Sequence, residues 1–336
     1  MRQILRMPAA RSFVLLLITI TIFCVVDFGN GRFVNRATVF SVLQLFATLG
    51  PVALGLGMTM IAREFDLSIV GMMSLAGCIA VMTGGNFPLL GLALAIATGC
   101  IAGAFQGAIM MWLDISSVGV TLGGLLISGG LAYVLTDNSS IAYPRMDVAM
   151  LVNAPIGGVL SLRNIAAVVL FVIATVVFDW TRIGRDVVAT GSDRRAALVA
   201  GVSVRGVVIG VFALSGTLAA VSGALLSYSL AAASPVALVD ALVPATAAAI
   251  IGGVSLSGGK GSPASIAGGV LVLCVLQSAL TAIGVPPLVH DLVTGAVLLT
   301  VALLDASALE ERLYAFRRRG LARRSRRADD TRGARD

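Results

Sequence analysis

"PLLGLALAIATGCIAGAFQGAIMMWL", residues 88–113, runs from end to end without an Asp, Glu, Lys or Arg. The hydrocarbon core of a bilayer has no water to satisfy exposed backbone groups, so a chain crosses it as a helix of about 20 mostly apolar residues. This stretch meets that requirement. Comparable stretches cover 12–28, 38–62, 67–83, 118–136, 161–180, 206–233, 236–254, 264–284 and 287–304. The pattern predicts an all-α polytopic membrane protein of about ten transmembrane helices, with a membrane domain over residues 1–306 and a basic tail over 307–336.

Composition agrees. Hydrophobic residues make up 58% of the 336 and charged residues 12%, with a mean hydropathy of +0.99. A soluble domain needs roughly a quarter of its residues charged to cover its surface. The first span follows Arg2, Arg6 and Arg11 without a small-residue cleavage pattern after it, which reads as a retained signal anchor with a cytoplasmic N-terminus.

Short cytoplasmic loops carry the excess of Lys and Arg. With ten spans, all of the 24 basic residues fall on the cytoplasmic side except Arg32, Arg36, Arg145 and Arg163. One span more or fewer separates the 181–205 loop from the tail, so the bias favours an even count. The expected location is the inner membrane, multi-pass, with both termini cytoplasmic.

Cys24, Cys78, Cys100 and Cys274 all fall inside expected spans and match no metal or redox spacing, so they read as buried small hydrophobes. The single histidine, His290, reads as a satisfied polar group at a helix end. The tail "RRRGLARRSRRADDTRGARD" is expected to lie disordered against the anionic inner leaflet. Nucleic-acid binding is the weaker reading, because no folded domain or aromatic platform accompanies the charge.

Enzymatic motifs are missing. In "VSLSGGKGS", Gly261 follows Lys260 where a phosphate-binding loop needs Ser or Thr, and Val254 stands where its first glycine belongs. Neither a G-x-S-x-G elbow nor an H-E-x-x-H pair occurs. The chain therefore reads as a transport protein with no catalytic residues, metal or cofactor of its own.

The polar interruption "TRIGRDVVATGSDRRAALVAGVSVR", residues 181–205, holds a short helix. Asp193 is a natural N-cap, Arg194 to Ala200 have good helix propensity on the whole, and Gly201 suits a left-handed C-cap. Two turns are not stable alone. Ala196, Ala197, Leu198 and Gly201 offer a small apolar face to a partner groove. A helix lying in the membrane interface and a plain connector are the competing readings, although an interfacial helix favours Trp, Phe and Leu where this face has Ala.

Here the chain resembles the permease subunits of bacterial ABC importers, in the branch that includes ribose and xylose permeases. "GRDVVATGSDRRAALVAGVSVR" resembles the family loop G-R-x-x-x-A-x-G-G-N-x-x-A-A-x-x-x-G-I, which carries a coupling helix. "SGTLAAVSGALLS" and "AAAIIGGVSLSGGKGSPASIAGGVL" resemble its later glycine-rich segments, and "FDLSIVGMMSLAG" its G-G-I-D-L-S-V-G-S motif. The D-L-S motif separates this branch from the branched-chain amino-acid permeases, which carry an N-F-A-like sequence there. Arg63-Glu64-Phe65 stand where relatives have paired glycines before the Asp, Ser192-Asp193 replace Gly-Asn, and Leu242 and Pro244 stand where relatives place acidic residues.

The resemblance implies a permease subunit that moves a monosaccharide-like solute. It also implies a second permease chain, a cytoplasmic ATPase that binds ATP and Mg, and a periplasmic solute-binding protein. Asp193, Arg194, Ala196, Ala197, Leu198 and Gly201 are then the ATPase-coupling residues, and an acidic side chain at Ala197 or Gly201 is expected to uncouple transport. Candidates for the solute path are Asp66, Ser68, Gln44, Gln106 and Gln277. Each has a structural reading beside it: Asp66 as cap of the next helix with Arg63 as ion partner, and the glutamines as interhelical bonds. Gly252, Gly253, Gly258, Gly259 and Gly261 read as tight packing or as a hinge. The rival function is a secondary transporter driven by an ion gradient, with Asp66 titrating.

Overall fold

The structure, a computed structural model, describes residues 8–28, 31, 33–236 and 239–304. Its order is α1 (Pro8–Val26), α2 (Arg36–Ile61), α3 (Ile69–Thr83), α4 (Pro88–Leu113), α5 (Ser117–Leu135), β1 (Ile141–Ala142) and α6 (Met146–Asn153). Then come α7 (Leu162–Trp180), α8 (Arg182–Ser192), α9 (Arg194–Val199), α10 (Val204–Ser229) and β2 (Ala232–Ala233). A 3-10 turn (Val239–Ala241), α11 (Leu242–Ile251), α12 (Pro263–Ala282) and α13 (Pro287–Leu304) complete it. The chain divides into two compact units, Met1–Thr294 and Gly295–Asp336. Of the second, only the end of α13 is described, and the expected tail from 307 lies outside the described residues.

Among the described residues six helices, α2, α4, α5, α7, α10 and α12, are long and apolar enough to cross a membrane. Shorter apolar helices occupy four further expected spans. Among the described residues of the expected span 236–254, only Leu242–Ile251 is α-helical, after the 3-10 turn. Ten residues at 1.5 Å each reach about 15 Å, half the thickness of the hydrocarbon core.

Helix α10 lies at the centre of the first unit, packed against α2, α3 and α4. Small residues make this possible, because apolar tails on all sides leave close packing to hold helices together. Gly99, Gly103 and Gly107, one turn apart on α4, meet Gly216, Phe212 and Ile209 of α10, and a Cβ on Gly103 would run into the Phe212 carbonyl. The faces of α4 and α5 turned away from this core carry exposed apolar side chains such as Leu89, Phe105, Leu126 and Val134. Cys100 joins them, against the expectation of burial, while Cys78 and Cys274 are buried.

Strands β1 and β2 pair antiparallel, Ile141 with Ala233 and Ala142 with Ala232. Tyr143 stacks on Tyr228 at 4.8 Å and donates to the Gly84 carbonyl at 3.0 Å. This clasp joins the start and the end of the segment that contains α6 to α10. Outside it, Arg145 forks onto Asp147 and holds that carboxyl down at about 2.

Candidate coupling site and solute path

Three chain turns meet at one end of the first unit. The Ile61 carbonyl, closing α2, accepts the Gly259 N–H at 2.8 Å. Gly191 of α8 is pressed against the same carbonyl, and Gly259 against Ser192. Gly252 and Gly253 end α11, with φ of +85° at Gly253, and Gly258, Gly259 and Gly261 turn the loop with φ of +80°, +71° and +133°. The predicted glycine cluster is thus a packed turn, held on the ends of α2 and α8.

Helix α9 has the expected caps. Asp193 Oδ1 accepts the N–H groups of Arg195 at 2.9 Å and Ala196 at 3.1 Å. At the other end Gly201 has φ of +83°, and the Gly201 and Val202 N–H groups donate to the Leu198 and Ala197 carbonyls at 3.0 Å each. The carbonyls that a short helix leaves unbonded are satisfied this way. Its faces differ from expectation in one respect. Ala197 is 4% exposed and faces inward, whereas Leu198 and its neighbour Val199 are 58% and 91% exposed. Ala196 and Gly201 are exposed as predicted. Ala197 is therefore a packing residue, and Val199 an outward one that sequence reasoning missed.

Helix α8 was not expected at all. Its residues "RIGRDVVATGS" contain two glycines and several β-branched side chains, a poor helix former by composition. It forms because Thr181 Oγ1 caps it at Ile183 N and because Gly184 and Gly191 let it lie directly on the Phe178 and Ile61 carbonyls.

Between α2 and α3, Arg63 takes a left-handed conformation, φ +65°. Its N–H and that of Glu64 donate to Met60 O and Thr59 O at 2.9 Å. This is the same closing turn that Gly201 makes for α9 and Gly253 for α11. The turn buries Glu64, which pairs with Arg194 at the start of α9.

Asp66 is 2% exposed. Its Oδ1 accepts Ser68 N at 2.9 Å and Ser68 Oγ at 2.6 Å, and its Oδ2 accepts Ser215 Oγ of α10 at 2.7 Å. Its partners are serines, not Arg63 as the cap reading supposed. Burial pushes the carboxyl up from its ordinary value, against the pull of the Ser215 and Ser68 hydrogen bonds.

A family model described as "Branched-chain amino acid transport system / permease component" matches residues 38–302. The chain belongs to this permease family. The inner membrane ABC transporter permease protein YjfF of Escherichia coli is 30% identical to it, over 78% of this chain and 82% of that protein. The ribose import permease protein RbsC of Bacillus subtilis is 28% identical, over 84% and 88%. The autoinducer 2 import system permease protein LsrD of Klebsiella pneumoniae is 31% identical, over 77% and 80%. No solved structure matches. The permease is accordingly a membrane transport subunit and not an enzyme.

Of the other expected path residues of the permease, Ser68 bonds Asp66, while no hydrogen bond joins the three glutamines to either. Gln106 lies between α4 and α5, its amide against Gly124. Gln44 and Gln277 are half-buried on α2 and α12. Sequence reading passed over a further polar group. Arg163, 5% exposed near the start of α7, donates to Thr48 Oγ1 of α2 at 2.5 Å and to Ser229 Oγ of α10 at 2.7 Å. Ser229 in turn donates to Asn153 Oδ1 of α6 at 2.7 Å. Thr48 stands one turn beyond Gln44 and donates to its carbonyl at 3.2 Å. A charged residue inside an apolar run was the available signal.

Proposed function

We propose that the permease moves a monosaccharide-like solute inward, delivered by a periplasmic binding protein and powered by a separate cytoplasmic ATPase. Ten segments cross the bilayer in this reading: the helices α1 to α5, α7, α10, α12 and α13, and the segment 236–254, of which the short helix α11 is one part. Both termini and α9 face the cytoplasm, where the excess of basic residues lies. Two permease chains line the path, and ATP and Mg bind only on the ATPase.

The observation that carries the reading is α9. A six-residue helix with both ends capped projects Leu198 and Val199 away from the chain, and it sits between α8 and the central helix α10. A surface so placed fits a groove on a second protein, and movement imposed on it acts directly on the bundle core. ATP binding then shifts an inward-open to outward-open equilibrium through differential contacts. The sugar class follows from Asp66-Leu67-Ser68, which resembles the ribose branch, and from the relative named for ribose import.

Uptake of a radiolabelled monosaccharide panel in cells tests it. Deleting the partner ATPase should abolish uptake, while a protonophore should spare it. The reverse pattern would identify an ion-gradient-driven carrier instead.

A further inference from the structure

The groove beside α9 is lined by Arg63, Glu64, Ser192, Asp193, Arg194 and Arg195. Two of these belong together. Glu64 is almost wholly buried, its side chain 8% exposed, and Arg194 covers it with a side chain that is 38% exposed. Glu64 comes from the turn after α2, Arg194 from the first position of α9, and 130 residues separate them. Removing one partner of an ion pair this buried leaves the other without compensation.

The surroundings leave α9 few other holds on this turn. Its caps are internal, running from Asp193 to its own first turn and from Gly201 and Val202 to its last. Gly191 and Gly259 hold the end of α8 against Ile61, but Asp193 breaks the helix before α9 begins, with φ of −156°. The Glu64 end of the pair is held by backbone bonds to α2, and two residues further on Asp66 bonds to Ser215 of α10 and to Ser68 at the start of α3. A pull on Arg194 therefore has a short polar route to α2, α3 and α10.

We infer that the Glu64–Arg194 pair is a joint that locks α9 to the turn between α2 and α3, so that the two move as one body when the ATPase acts. Both are positioning residues. Direct chain connection couples α9 only to α8 and α10, and the pair adds α2 and α3. The arrangement is tied to the Arg63-Glu64 sequence, since a glycine at Glu64 has no carboxylate to offer Arg194. The inference rests on the importer reading for what moves α9, but not for the existence of the joint.

Spin labels at Arg63→Cys and Val199→Cys, in a permease with its four native cysteines replaced, measure the span across the joint by pulsed electron resonance. The permease is reconstituted in nanodiscs with its ATPase, nucleotide-free and ATP-trapped. With Glu64 and Arg194 intact, one narrow distance distribution should persist in both states. Glu64→Gln and Arg194→Gln should each broaden it at least twofold, and the exchanged pair Glu64→Arg with Arg194→Glu should narrow it again. Retained helix content and a single elution peak show that each variant is folded.

An unchanged width in the Gln variants, or no recovery on charge exchange, overturns the joint. So does a native distance that shifts with nucleotide. If the ATPase does not bind, the importer reading fails, and the widths without nucleotide still decide whether the joint exists.

Discussion

The carbonyl oxygen of Ile61, the last residue of α2, accepts the backbone N–H of Gly259 at 2.8 Å, and Gly191 of α8 presses on the same carbonyl. A side chain at 191 has no room. Gly191→Ala should lower stability by about 2 kcal/mol, the scale of overpacking a filled site. Gly129→Ala is the control, because nothing lies within 4 Å of a Cβ there and a helical glycine gives way to alanine with a gain of about 0.5–1 kcal/mol. Thermal unfolding of the purified proteins in detergent compares them.

The two sides of α9 should respond differently to charge. Leu198→Asp and Val199→Asp place a carboxylate on the exposed face and should cut co-purification of the ATPase at least tenfold while leaving insertion and thermal stability as they were. Ala197→Asp buries the charge and should lower yield and stability first. Equal effects at all three positions would remove the distinction between docking face and packing face.

Arg63 closes α2 in a conformation that suits glycine. Arg63→Gly should stabilise the protein by up to about 1 kcal/mol, the scale of the left-handed penalty, as read by a rise in melting temperature. A fall would mean that the arginine side chain makes contacts worth more than the strain.

Arg163 donates from two nitrogens to hydroxyls on different helices, a fork that the single ammonium of lysine does not reproduce. Arg163→Ala should cost about 2 kcal/mol, the range of one or two hydrogen bonds to a charged group. Arg163→Lys should recover less than half. The same unfolding measurement applies, and full recovery by lysine would show that charge alone matters at this site.

Asp66 has its folded-state pKa raised by burial. Between the ordinary value of 3.8 and the raised one, the folded protein keeps a proton that the unfolded chain has lost. Stability then falls as pH rises through that window. Asp66→Asn keeps an acceptor for Ser68 and removes the titration, so the stability difference between variant and native protein should grow in the variant's favour from pH 4 upward. A pH-independent difference would mean that Asp66 ionises at its ordinary value.

Long spans were legible because their apolar runs have one physical explanation, and the α9 caps because Asp193 and Gly201 act through local backbone bonds. Other features depend on residues far apart in the chain. Helix α8 forms on the Phe178 and Ile61 carbonyls despite weak local propensity, and β1 finds β2 across some 90 residues. The inward turn of Ala197 and the outward turn of Val199 follow from how a two-turn helix sits on its neighbours, which its own composition does not fix. Arg63 and Glu64 stood out as departures from a pattern, but the pairing of Glu64 with Arg194 became visible only in three dimensions. Span 236–254 was read as one span because its composition is mostly apolar despite Asp240 and Pro244, although among its described residues only Leu242–Ile251 are α-helical.

Photocrosslinking from Val199, 91% exposed at the end of α9, tests the central claim most directly. In membranes that contain the permease together with its ATPase, an amber-encoded crosslinker at this position should yield one dominant adduct of permease and ATPase, lost when the ATPase is deleted. Adducts with lipid alone, with the ATPase present and the permease folded, would contradict it.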